Sequence, residues 1–396
     1  YLNKFRFESV GRTNSMLATA TSALAVSGCG GGSGGGLITQ IKGFPTSYVA
    51  PLSSYVVPTE SDPNFEILKP DYIDPYWVAS LEMDQWEAHI LPMLADFERV
   101  LHYSFPDTPP DYDTFGLTGW EPATEEMKTA TRDILSKFED ILDVTISESS
   151  DSKAINVISV STSNQVTTAG FSYYPNNFFE IGMDIFISKE YANPNFLSEL
   201  ITNYEYEVLV HEIGHALGLK HPFETNGSNT AILSSYEDNT SNTAMSYDSE
   251  PTTFNSTLRP LDWMALTKFY GISPTYNADD DTYEFSSSSG IFIIDGAGIE
   301  TINAYAALQD VIIDLRPGAH SYLGMKSDYI TDANQLTISH GSNIENAITG
   351  YGNDIVIGND LDNLISTGTG SDTIFAGNGI DIIKSGTGAD RIDISE

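Results

Sequence analysis

The stretch VLVHEIGHALGLKHP, residues 208–222, sets His211, Glu212, His215 and His221 within fifteen residues of a 396-residue chain that holds only seven histidines. On a helix, His211 and His215 are four residues apart, project from one face and can ligate one ion. Glu212 follows the first of them, where its carboxylate can reach a water on that ion without binding the ion itself. Gly218 permits a sharp turn, His221 returns as a third ligand, and Pro222 stops the helix from resuming. Three neutral imidazoles leave zinc a fourth position for water, as in a catalytic rather than a structural site. The expected chemistry is amide hydrolysis: the ion acidifies the water and polarises the carbonyl, while Glu212 takes the proton and delivers it to the leaving amine. The competing reading is a buried amphipathic helix with ordinary core or surface histidines. Five specified positions in eleven residues weigh against it more heavily than a bare H-E-x-x-H would.

Downstream, NTAMSYD (242–248) supplies Met245 at a distance suited to a methionine turn beneath the ion, and Tyr247 two residues later. Taken alone, the methionine reads as core filler and the tyrosine as packing. With HEIGHALGLKHP they resemble the serralysin family, the secreted bacterial zinc metalloproteases of the metzincin clan. AMSYD is similar to that family's methionine turn, LDWMALTKFYG (261–271) to the helix after it, and GFSYYP and MDIFIS to the strand region lining its substrate cleft. The resemblance runs from about residue 95 to the end and is most specific in 208–222 and 243–248. It implies an α+β metzincin-type catalytic domain followed by an all-β parallel β-roll of the RTX kind. It also implies one catalytic zinc on His211, His215 and His221, Glu212 as base, Met245 as the structural turn, and Tyr247 as a mobile fifth ligand that turns to the oxyanion.

The elements that must carry these residues are partly legible. YWVASLEMDQWEAHILPMLADFERV (76–100) reads as a helix interrupted at Pro92, and LHYSFP as a short strand. EPATEEMKTATRDILSKFEDIL (121–142) has acids in its first turn and apolar Met127, Ile134, Leu135, Phe138, Ile141 and Leu142 at helical spacing. VTISES, INVISVST and MDIFIS read as strands, and a helix starting near Asn203 or Tyr204 should carry the histidines. Extended peptide substrates are expected to pair with an edge strand near 183–188.

After about Tyr276 glycine, aspartate, asparagine, serine and isoleucine dominate. From residue 349 the chain divides into nonapeptides TGYGNDIVI, GNDLDNLIS, TGTGSDTIF, AGNGIDIIK and SGTGADRID. The sixth position is Asp354, Asn363, Asp372, Asp381 and Asp390; the eighth is apolar throughout. Each block is a glycine turn and a short strand, too small to bury its apolar residue alone, so the blocks must stack. Stacked turns gather carboxylates, and hard oxygens on flexible turns select calcium, so several structural calcium ions are expected at these five positions. A glycine-rich disordered tail and a metal-free solenoid are the alternatives; neither accounts for the recurring carboxylate. The second block has asparagine and lacks the paired glycines, which makes a site bounded by it weak or absent. Extracellular calcium modules bind at about 10⁻⁴–10⁻³ M, so such a roll should fold only after export.

Eighteen basic against fifty-five acidic residues give a formal charge of −37, which repels nucleic acid and anionic membranes. Cys29 is the single cysteine, so no intramolecular disulfide or thiolate cluster can form. Basic residues, then MLATATSALAVSGC, read as a secretory leader too short to span a bilayer. VSGC also resembles a bacterial lipobox, which would make Cys29 a lipid anchor; an ordinary signal peptide is the alternative. The expected organisation is a signal peptide over 1–28, a glycine-rich linker and extended arm over 29–75, the catalytic domain over 76–274 and the roll over 275–396. The functional expectation is a monomeric zinc endopeptidase of protein and peptide substrates, outside the cell or on its surface. The alternative is a calcium-dependent surface or adhesion protein with an inactive metzincin domain.

Overall fold

The computed structural model describes residues 26–28, 75–111, 118–151, 154–165, 168–177, 182–192, 204–248 and 256–394. Most of the leader, the glycine tether, the extended arm and Cys29 lie outside the described residues.

Two helices, α1 (Tyr76–Ala79) and α2 (Trp86–Asp96), stand where the sequence suggests one helix broken at Pro92. Pro92 is accommodated inside α2, and the break falls at 80–85 instead. Its cause is tertiary: Glu82 bridges to Leu219, and Met83 N donates to Gly218 O at 2.9 Å. Pairing with a distant loop overrides the local signal of the proline.

The first sheet contains β1 (Val26–Gly28), β2 (Val100–Ser104), β3 (Thr118–Pro122), β4 (Thr145–Glu148), β5 (Val157–Asn164), β6 (Gly170–Tyr173) and β7 (Ile185–Ser188). Its order is β1-β6-β7-β5-β2-β4, with β3 paired to β5. Strands β4, β2, β5 and β7 run parallel, whereas β6 is antiparallel to β7 and β1 to β6. The segment 183–188, expected at the edge, therefore lies inside the sheet. Strand β7 is buried at every position, as the interior of a parallel sheet requires, and β6 lies outside it.

Helix α3 (Glu125–Ile141) begins where Thr124 accepts the Met127 amide at 3.2 Å, with Glu125 and Glu126 favourably placed in its first turn. It buries Met127, Ile134, Leu135 and Phe138, and Phe138 meets Trp263 edge-on at 5.1 Å. Helix α4 (Tyr204–Ala216) is buried continuously from Val208 to Ala216, so it runs through the interior rather than along a surface. Helix α5 (Pro260–Tyr270) follows the methionine segment and packs into the same core through Leu261, Met264, Leu266 and Phe269.

Beyond residue 280 the chain is all strand among the described residues. The short strands β8 (Thr282–Glu284), β10 (Thr301–Asn303), β14 (Asn346–Ile348), β16 (Leu364–Ser366) and β18 (Ile382–Lys384) form one parallel sheet. A second holds β9 (Ile291–Ile293), β11 (Val311–Asp314), β12 (His320–Leu323), β13 (Gln335–Ile338), β15 (Ile355–Ile357), β17 (Thr373–Phe375) and β19 (Arg391–Asp393). Successive nonapeptides alternate between the sheets, so Val356 pairs with Ile374 and Ile374 with Ile392, eighteen residues apart. Between the sheets lies a second apolar core that includes Val356, Ile365 and Ile374. A buried carboxylate ties the two parts together: Glu237 accepts from Tyr76 Oη at 2.7 Å and from Thr331 Oγ1 at 2.9 Å, while Ile330 N donates to the same phenol at 3.1 Å.

The tight turns depend on glycine where coils touch. A Cβ on Gly370, at φ +143°, would lie 1.6 Å from Gly352 O. Gly370→Ala is expected to destabilise the roll by about 3 kcal/mol or more, from backbone strain and overlap together. Thermal unfolding followed by circular dichroism checks this; an unchanged roll transition would contradict the packing described.

Candidate metal centre

Helix α4 presents His211 and His215 one turn apart, as the spacing requires. It ends because Gly218, at φ +103°, turns the chain while Leu219 N and Gly218 N close onto Gly214 O and His215 O at 3.0 and 2.9 Å. That turn returns His221. One ligand nitrogen from each histidine falls within 4.8 Å of the others. His221 Nε2 lies 3.2 Å from His211 Nε2 and 3.1 Å from His215 Nε2.

What makes this a metal site is the far side of each ring. His211 Nδ1 donates to Ala244 O at 2.8 Å and His215 Nδ1 to Leu219 O at 2.6 Å. Carbonyls only accept, so both protons sit on Nδ1 and both Nε2 atoms present lone pairs. His221 Nδ1 faces Glu224 Oε2 at 3.2 Å. Burial lowers His211 to a pKa of about 4 and His215 and His221 well below the ordinary value; neighbouring histidine charges act in the same direction on His215 and His221, and the Lys220 charge on His221. Three neutral rings turned toward one point repel unless a cation lies between them. The donor set therefore fits zinc.

Glu212 is fully buried, and β6 passes directly over it: a Cβ on Gly170 would lie 2.5 Å from Glu212 Oε1. Met245 is fully buried under α4, with its sulfur where a Cβ on Gly214 would be, 2.8 Å away. Tyr247 Oη is 2.9 Å from His221 Nε2, and its ring packs against His221 at 4.7 Å and lies parallel to His211 at 5.8 Å. The three histidines and Tyr247 thus meet at one place, with Glu212 on α4 beneath β6 and Met245 packed against that helix at Gly214.

Several residues of the centre carry no sequence signal that marked them out. Asp262 is fully buried; its carboxylate accepts from Thr243 Oγ1 at 2.6 Å, Ala244 N at 2.7 Å and Arg259 N at 2.9 Å. It thereby holds the N–H of Ala244, the residue whose carbonyl orients His211, and at the same time caps α5. Burial raises its carboxyl to about 6, against the hydrogen bonds that lower it. An acid in the first turn of LDWMALTKFYG was the available clue. Phe223 stacks on His221 at 5.1 Å with only 8° between the rings and touches Tyr247 at 4.8 Å. Two other histidines bond across to a neighbouring strand: His102 to Ser147 Oγ at 2.9 Å, and His320 to Thr337 Oγ1 and Gln335 Oε1, both at 2.9 Å.

In the roll, Asp354, Asp372 and Asp390 line one edge and Asn363 and Asp381 the other. Asp354 N donates to Asp372 Oδ1 at 2.9 Å and Asp372 N to Asp390 Oδ1 at 3.1 Å, so each carboxylate spends one oxygen on the preceding coil. The second oxygens of Asp354 and Asp372 are buried and meet no donor. Asn363 takes a different part from the ligand expected of it: its amide donates to Glu345 O and Asn359 Oδ1, both at 3.0 Å, and its oxygen accepts Asn359 N at 3.0 Å. A further acid group was missed in the sequence. Glu300 is buried with Oε1 meeting no donor, beside Asp295 and Glu345, whose carboxylate accepts Glu300 N at 2.8 Å. Burial first, then Glu345 and Asp295, raise Glu300 to about 8.

Comparison with known proteins finds matches in both parts of the chain. A family model described as metallo-peptidase family M12 matches residues 99–258, and one described as peptidase M10 serralysin C terminal matches residues 264–396. A serralysin of Proteus mirabilis is 33% identical over 305 residues, covering 66% of this chain and 60% of the relative. Metallopeptidase AprA of Pseudomonas marginalis is 29% identical, covering 63% and 57%, and a serralysin of Photorhabdus luminescens 28%, covering 67% and 59%. The chain thus spans about three fifths of the length of these curated relatives.

The linkage from Asp262 through Ala244 to His211 is testable without any substrate. Asp262→Ala should weaken zinc binding by roughly 10–100-fold, as loss of the group behind a ligand usually does. Competition against a chromophoric chelator measures it; wild-type affinity in the variant would show that the carboxylate does not act on the ligand.

Proposed function

We propose, from the premise that the chain belongs to the serralysin family, that it is an exported zinc endopeptidase steadied by calcium in its C-terminal roll. The observation that carries this reading is the convergence of three imidazole lone pairs next to a buried glutamate, under an outer strand of the sheet. When bound, zinc supplies Lewis acidity, acidifying a water and polarising the scissile carbonyl.

The remaining work falls to the protein's own side chains. The peptide main chain takes the place of β1 beside β6, the strand that crosses Glu212, where Gly170 leaves room for the Glu212 carboxylate. Glu212 accepts a proton from the attacking water as the carbon–oxygen bond forms. As the carbon–nitrogen bond breaks, it returns that proton to the leaving amine. Tyr247, whose phenol is 2.9 Å from His221 Nε2, leaves the imidazole and donates a hydrogen bond to the oxyanion. Met245 supports α4 from below and takes no part in proton transfer. Pairing through main-chain hydrogen bonds favours broad specificity for extended protein and peptide substrates.

For calcium, the support is the pair of donorless buried oxygens of Asp354 and Asp372. Carboxylate and carbonyl oxygens are the donors calcium takes. We place calcium along the edge of Asp354, Asp372 and Asp390 and beside Glu300, with Asp381 alone on the edge where Asn363 is already hydrogen-bonded. Cys29 as a lipid anchor, the leader over 1–28, the domain limits at 76 and 275, and a monomeric state complete the proposal.

Glu212→Gln should retain zinc and lose nearly all cleavage of casein, whereas Tyr247→Phe should lower kcat by about 10²–10³-fold with little change in KM. Full activity in Glu212→Gln would end the mechanism. Calcium affinity carries its own pH signature. Burial, with the Asp372 and Asp310 charges, raises Asp354 to about 6. A carboxyl raised in the folded state adds stability at pH below its ordinary value and gives it up as pH rises through about 6. Calcium takes only the ionised form, so its apparent affinity should increase as pH passes through that value. Titration calorimetry at several pH values should show this step in the wild type and not in Asp354→Asn.

A further inference from the structure

Next to the third ligand stands a lysine in a position where surface exposure is the default. Lys220 is only 1% exposed, and its ammonium donates to main-chain carbonyls: Ser80 O at 2.6 Å, Glu224 O at 2.8 Å, Ala231 O at 2.8 Å and His221 O at 3.3 Å. These oxygens come from the end of α1, from the turn after His221 and from the segment that crosses it. An ammonium has three hydrogens to give, and here four carbonyls surround it in the manner of a coordinated cation. The nearby carboxylates are turned to other partners, Glu82 to Lys268 at 3.1 Å and Glu224 to His221 at 3.2 Å.

We infer that Lys220 is the positioning residue of the metal centre, an internal cation that locks the loop carrying the third zinc ligand against α1. Both of its chain neighbours hold ligands. Leu219 O fixes the His215 ring at 2.6 Å, and His221 is itself a ligand. The peptide of Lys220 is tied to the same place, its N–H donating to Leu81 O at 2.7 Å. Burying an ammonium is costly unless every hydrogen is bonded, so the cage and the charge are mutually dependent. Without the charge, the carbonyls of three segments converge on an empty, dry space and repel. The loop then moves, and two of the three imidazoles move with it. Lys220 does not touch substrate or ion; it acts through the residues on either side.

This inference rests on the zinc reading, and its test separates the two. Lys220→Met keeps most of the side chain's length, one atom short of the ammonium, and removes the charge. Zinc affinity by chelator competition, and the visible absorption of the cobalt-loaded protein, are measured alongside the calcium dependence of the roll. The expected result is zinc binding weakened by roughly 10–100-fold and an altered cobalt spectrum, with the roll's calcium response unchanged. Lys220→Ala leaves space for n-propylammonium, which replaces the missing atoms. Adding it should restore zinc affinity and the wild-type cobalt spectrum in a saturable manner, also when the variant is refolded from denaturant in its presence. Wild-type zinc affinity and cobalt spectrum in Lys220→Met would overturn the inference, as would no recovery of Lys220→Ala at high propylammonium should Lys220→Met fail to fold. Absence of zinc binding by the unaltered protein would instead overturn the protease reading.

Discussion

Three nitrogen lone pairs that face one another across a buried point form an arrangement that is unfavourable by itself, and much of the surrounding fold enforces it. The carbonyls of Ala244 and Leu219 hold protons on the far side of two rings. Burial denies those rings the alternative of becoming charged. The cost of gathering unprotonated imidazoles is borne by continuous packing around α4, which has no solvent face along its second half. A divalent ion held by these three nitrogens would convert that repulsion into attraction.

The supports of that centre come from well-separated parts of the chain. Asp262 reaches back from α5 to fix the Ala244 peptide, Met245 fills the hollow left by Gly214, and the 80–83 segment pairs with the turn after α4. Each contact is a hydrogen bond or a close approach that a single methyl group or a lost proton would disturb. The roll is joined to the same framework through Glu237, which takes hydrogen bonds from Tyr76 at the start of α1 and from Thr331 in the roll. Because α1 also contributes Ser80 O to the Lys220 ammonium, the second domain and the third-ligand loop share one short helix as a mounting.

Charge is distributed with the same economy of means. A net charge of −37 on 396 residues is hard to reconcile with a compact state unless some carboxylates are paired with cations. In the roll the aspartates face alternate edges, because each coil contains two nonapeptides and one strand goes to each sheet. One edge keeps carboxylates with oxygens to spare, whereas the other is partly closed by amides of Asn359 and Asn363 that satisfy their neighbours directly.

Local pattern alone was enough for the features governed by nearest neighbours along the chain. The four-residue spacing of His211 and His215, the glycine that ends their helix, the helix read over 121–142 and found over 125–141, and the nine-residue repeat are all dictated by backbone periodicity and turn chemistry. Those requirements are written in consecutive residues. Features governed by packing were not readable in the same way. Pro92 suggested a break that instead occurred at 80–85, and 183–188 read as an edge strand but lies within the sheet. Asp262, Glu300 and Lys220 looked like ordinary charged residues until the fold buried them. In each case the deciding energy is desolvation of a polar group or pairing with a segment far along the chain. Such energies depend on which surfaces meet, and only the tertiary structure specifies that.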